Sequence, residues 1–114
     1  MIFELRASPI HGVGVFAMAK IKKGVMLPLF EEDDYRFIHP DQIKNMGIPK
    51  RFIRKYSIEY KDGYSSPKNF NRMSIGWYLN HSAKPNVFHD DNYDFFAMND
   101  IKKDEEITVD YDEL

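Results

Sequence analysis

The chain has 114 residues, 43% of them hydrophobic and 15% aromatic, with nine Phe and seven Tyr; this suits one compact domain spanning 1–114 and leaves too little chain for a second core. Sixteen basic against eighteen acidic residues give a formal charge of −2, so nothing draws the chain broadly towards nucleic acid or anionic membrane. With no cysteine there is no disulfide or Cys-ligated zinc, which suits a reducing compartment, and no segment approaches the ~20 apolar residues of a membrane span.

Ile2–Arg6 alternates apolar and charged residues as a half-buried strand does, and Ser8-Pro9 breaks it. Gly12–Ala17 resumes a strand-like run after two glycines, and Lys22-Lys23-Gly24 turns the chain into the apolar run Val25–Phe30, where Pro28 marks a sheet edge. The acidic run Glu31–Asp34 is expected to be a solvated loop. From Pro40 to Tyr56 two short helices are expected, the first ended by Gly47 and the second opened by Pro49, with Phe52, Ile53 and Tyr56 on one side. Lys61-Asp62-Gly63 between Ser57–Tyr60 and Tyr64 is a hairpin signal. Asn86–His89 and Tyr93–Met98 form a second hairpin, and Glu106–Tyr111 is a final strand. The sum is a mainly β chain with chemistry carried on loops.

Three patches hold more chemistry than a plain scaffold requires. Gly12-Val13-Gly14 lets a backbone approach a ligand or adopt positive φ, and it serves equally as a structural turn or bulge; a phosphate-binding glycine fingerprint is not supported, since no third glycine or helical pattern follows. Trp77–Asn86 gathers two aromatics, two amides, an imidazole and a hydroxyl around a turn fixed by Pro85, which suits either a gripped polar ligand or a turn that satisfies itself. Asp104–Tyr111 is an acidic turn feeding a strand that ends in a phenol. His81, His89, Asp90, Asp91 and Asp94 repeat no familiar metal spacing, and no metal is expected. Asn80-His81-Ser82 matches a glycosylation acceptor only formally, because Met1–Arg6 has no signal-peptide pattern and an intracellular protein, in cytoplasm or nucleus, is expected.

In this order the segments Ser8–Ala17, Asn80-His81-Ser82 with Pro85-Asn86, and Asp104–Tyr111 resemble the SET-domain family of protein lysine methyltransferases, and they bracket nearly the whole chain. The resemblance implies a SET (β-clip-like) fold of small curved sheets with short helices, whose C-terminal segment threads beneath a loop in a knot-like way. It implies S-adenosylmethionine as cofactor, held by Gly12, Val13, Gly14, Asn80 and His81, and Tyr111 as the catalytic phenol. His89 falls where many relatives carry an aromatic residue near the acceptor amine, and Tyr56 and Tyr60 fall in the region that supplies lysine-channel walls. The expected partner is a protein or peptide carrying a lysine, with no direct nucleic acid or membrane contact. A non-catalytic binding module on the same fold is the alternative. Two departures stand out: Asp104 replaces a common Gly, and only three residues follow Tyr111 where many relatives carry a cysteine-rich, zinc-binding closure. A homodimer in which a second copy closes the site is one way to replace it.

Overall fold

A computed structural model describes residues 1–114 and divides them into two compact units, one made of Met1–Leu29 with Tyr78–Leu114, the other of Phe30–Trp77. The fold is mainly β, built from three small sheets, one short α-helix and 3-10 turns.

The first unit contains two sheets. Strands β1 (Phe3–Ala7) and β2 (Val13–Ala17) form an antiparallel hairpin from Phe3↔Ala17 to Ala7↔Val13. The C-terminal strand β10 (Glu106–Val109) lies antiparallel to β2, and its other edge runs parallel to the two-residue strand β7 (Asn80–His81). The order β1-β2-β10-β7 places the end of the chain inside the sheet. Ile107, Thr108 and Val109 are all buried there, and three consecutive β-branched residues suit a strand covered on both faces. In the second sheet, β9 (Phe95–Ala97) lies between β3 (Met26–Leu27) and β8 (Val87–His89). Its inward residues Leu27, Val87, Phe95 and Ala97 are buried with Val15, Ile21, Ile101 and Ile107.

The second unit pairs β4 (Arg36–Ile38) and β5 (Ile58–Tyr60) on either side of β6 (Gly63–Ser66). The helix α1 (Lys50–Lys55) follows Pro49 and buries Ile53. Ile38, Ile53 and Tyr64 form the core, with Ile43, Met46, Ile48 and Phe70 packed against it. Between Pro40 and Asn45 the first expected helix is a 3-10 segment that fully buries none of its residues and sets only the partly buried Ile43 against the core.

Two further expectations are revised, and one strand was not expected. The Val25–Phe30 run forms strand only at Met26–Leu27, because Pro28 lacks an N–H and the chain turns through Leu29 N donating to Leu27 O at 2.9 Å. Strand β4, with one buried residue, carries no alternation and is defined by its pairing to β6. Asp34 is not simply solvated: it accepts from the amides of Ser74 and Lys68 at 2.7 and 3.1 Å and from the Ser74 hydroxyl. Burial alone raises its pKa, but these donors outweigh that and hold the carboxyl below its usual range.

Candidate functional site

All the residues of the site proper belong to the first unit. The β1–β2 turn closes through Ser8 N donating to Gly12 O at 2.8 Å. Gly12 has φ +49°, where a side chain would be strained, and nothing lies within 4 Å of the place a Cβ would occupy. Gly14 is glycine for another reason: a Cβ there would sit 2.3 Å from Glu106 Oε2 and 3.1 Å from Asn80 Nδ2. Its missing side chain makes room for an anchored carboxylate.

Asn80 holds this turn against the end of the chain. Its Nδ2 approaches His11 O, Val13 O and Glu106 Oε2 at 3.0, 3.1 and 2.9 Å, so two N–H groups serve three acceptors. Glu106 receives the Ser8 hydroxyl, with Oγ at 2.8 Å from Oε1 and 2.9 Å from Oε2. Asn86, 8% exposed, holds the same strand. Its Nδ2 donates to Glu105 Oε2 and Glu106 O at 2.9 and 2.8 Å, and its Oδ1 accepts from Thr108 N at 2.9 Å. One side-chain amide thus stands in for a neighbouring strand.

The final strand does not reach Tyr111 as expected. It stops at Val109, because the Asp110 side chain accepts from Asp112 N at 3.0 Å and starts a 3-10 turn over Tyr111–Glu113. Tyr111 therefore leaves the sheet and turns to β7. Its backbone N–H donates to His81 Nδ1 at 3.0 Å, its hydroxyl donates to Leu79 O, and the two rings lie 5.2 Å apart at 51°. An Nδ1 that accepts carries no proton, so the neutral imidazole is protonated at Nε2, and the 3.7 Å approach of Asp110 to Nδ1 is not an ion pair. Burial, and then the charge of Glu106, raise the Tyr111 pKa above its ordinary 10.0, which keeps the phenol protonated at neutral pH.

The other expected residues are placed as follows. His89 ends β8 with Nδ1 2.7 Å from Asp90 O and Nε2 2.6 Å from Glu113 O, and its ring stacks on Tyr93 at 4.4 Å; it ties the β8–β9 hairpin to the turn that carries Tyr111. Tyr56 and Tyr60 lie in the second unit, Tyr56 against Phe52 with Lys55 Nζ 5.3 Å over its ring, and Tyr60 38% exposed at the end of β5. Asp104 takes φ +68°, the left-handed region that favours glycine, and its carboxylate receives Arg6 Nη2 at 2.6 Å. Ser8, Asn86 and Glu106 were visible in the sequence only as members of longer motifs. A serine before a glycine turn and a glutamate opening a strand are too common to reveal a shared role.

A mainly β protein with its last strand enclosed between an N-terminal hairpin and an Asn-His strand, and a tyrosine just beyond that strand, is the architecture of one class of domain. The chain belongs to the SET-domain family, whose model matches residues 12–112. Among solved structures it is similar to a crystallised Plasmodium falciparum protein described as a "putative histone methyltransferase", with TM-score 0.60, 24% identity and 96% of each chain covered; at that identity the likeness speaks for the fold. A comparison with curated proteins gave no match.

Proposed function

We propose that the chain is an S-adenosylmethionine-dependent methyltransferase acting on the side-chain amine of a protein lysine. One observation carries this reading: Asn80 ties the Gly12–Gly14 backbone to the last strand while its neighbour His81 receives the N–H of Tyr111, so three sequence-distant patches share one place. Open space over Gly12, the 44% exposure of Val13 and the half-exposed Tyr111 fit a ligand laid against this turn. Gly12, Val13 and Gly14 would offer backbone groups to the cofactor, with Asn80 and His81 on the other side. When bound, the cofactor supplies an electrophilic methyl group on a sulfonium sulfur.

The chain's contribution is placement, the largest effect a protein can exert on an in-line transfer between two bound groups. The Tyr111 hydroxyl donates its hydrogen bond to Leu79 O, so what its oxygen offers is lone pairs, suited to orient an amine N–H or a polarised methyl group. It does not act as a base. A lysine of ordinary pKa ~10.4 loses its proton to water, helped by desolvation and a nearby positive charge. In this reading the substrate adds as an extended strand, and His89 stands beside the acceptor as well as fixing the terminal turn.

The test is incubation with methyl-labelled S-adenosylmethionine and a mixture of candidate proteins, followed by hydrolysis to locate label on lysine. Label in methyl-lysine is the expected result. Tight cofactor binding with no transfer to any protein would overturn the reading in favour of a non-catalytic module.

A further inference from the structure

Glu106 differs from the paired carboxylates around it. Glu4 and Asp104 meet Arg6, and Asp100 meets Lys20. Glu106 is half-buried, its side chain is held by a neutral hydroxyl and a neutral amide, and no Lys, Arg or His nitrogen lies within 4.0 Å of it. Withdrawing an anion from water without a cation costs free energy. Two neutral donors and the vacancy at Gly14 fix this charge in position and leave part of its acceptor capacity unused. Its field reaches Tyr111.

We infer that Glu106 is the fixed counter-charge of this site and makes it select a ligand whose reacting centre is cationic, so that it holds the sulfonium cofactor more tightly than the neutral thioether left after transfer. The inference rests on the function proposed above. Methyl transfer turns the sulfonium into a thioether and moves the positive charge to the amine, whose surplus proton passes to water. The attraction between Glu106 and the cofactor is therefore present before transfer and gone after it, which favours release of the spent molecule. Glu106 is a specificity-determining residue in this account, while Ser8 and Asn80 position it.

Titration calorimetry with S-adenosylmethionine and, separately, S-adenosylhomocysteine tests this, since the two ligands differ by one methyl group and one charge. In Glu106→Gln the dissociation constant of the cationic ligand should rise by roughly tenfold, and that of the neutral ligand by less than about threefold. Asp100→Asn removes a carboxylate that meets Lys20 outside the site and should keep the ratio between the two ligands. Should Glu106→Gln fail to fold, the wild-type protein still decides: rising salt should weaken the cationic ligand more than the neutral one. Equal weakening of both ligands by Glu106→Gln, loss of the ratio in Asp100→Asn, or a ratio indifferent to salt would overturn the inference while leaving the methyltransferase reading intact. A wild-type protein that binds neither ligand would overturn the functional reading and this inference with it.

Discussion

Each of the two units is stabilised internally by a different chemistry. In the 30–77 unit the centre is apolar, with Ile38, Ile53 and Tyr64 packed together, and polar bonds such as those to Asp34 staple loops. In the other unit the apolar interior is interrupted along β10 by side chains that make bonds a sheet normally takes from backbone: Asn80 reaches two carbonyls of the glycine turn, and Asn86 pairs with both Glu106 O and Thr108 N. The lesson is that in the second arrangement the same amides that suit a ligand site also join the strands, so stability and site geometry are hard to separate. In the first arrangement they are separable.

Core truncation is the strongest way to sharpen this contrast. Ile53→Ala, at a fully buried position, should cost about 3 kcal/mol in chemical denaturation, with little effect on cofactor affinity measured below the new midpoint. Asn86→Ala should cost about 2 kcal/mol, because it strands a buried N–H and a carbonyl on β10, and here affinity should fall along with stability. Gly14→Ala should cost about 1.5 kcal/mol, since the Glu106 carboxylate must give way, and the affected strand should show faster amide exchange at Ile107 and Thr108. If Asn86→Ala left cofactor affinity untouched, the claimed coupling of scaffold and site would be broken.

The smallest effect is pH-dependent. Asp34 is held below its ordinary 3.8 despite burial, so its contribution is present above about pH 4 and disappears as pH falls through its lowered folded value. Ser74→Ala should therefore lower stability by about 1 kcal/mol at pH 7, and the gap to wild type should close below pH 4. Thermal melts between pH 2 and 7 read this directly. A gap that widened on acidification would contradict the assignment.

Much of this contrast was legible in the sequence where local pattern decides structure. The strand expected at Ile2–Arg6 and the Lys61-Asp62-Gly63 turn form close to where they read, although the apolar Ile2 and Leu5 of that strand are exposed. Where partners decide, reading failed. Strand β4 exists through β6, Pro28 cut an apolar run to two residues, and Asp110 stopped the last strand before Tyr111. That three distant patches meet was legible only by resemblance to the SET-domain family, because no local rule links His11 to Asn80. Glu106 and Asn86 were hidden as site elements, since their roles depend on which strands lie beside β10 and not on their neighbours in the chain.

On the proposed function, Tyr111, set beyond the last strand and directed to β7, would place methyl donor and amine for transfer without taking a proton. The most direct measurement is Tyr111→Phe assayed twice, by single-turnover transfer from labelled S-adenosylmethionine and by calorimetric cofactor binding. Transfer should fall by about a hundredfold or more while cofactor affinity stays within about threefold of wild type. Unchanged transfer by Tyr111→Phe would contradict this role.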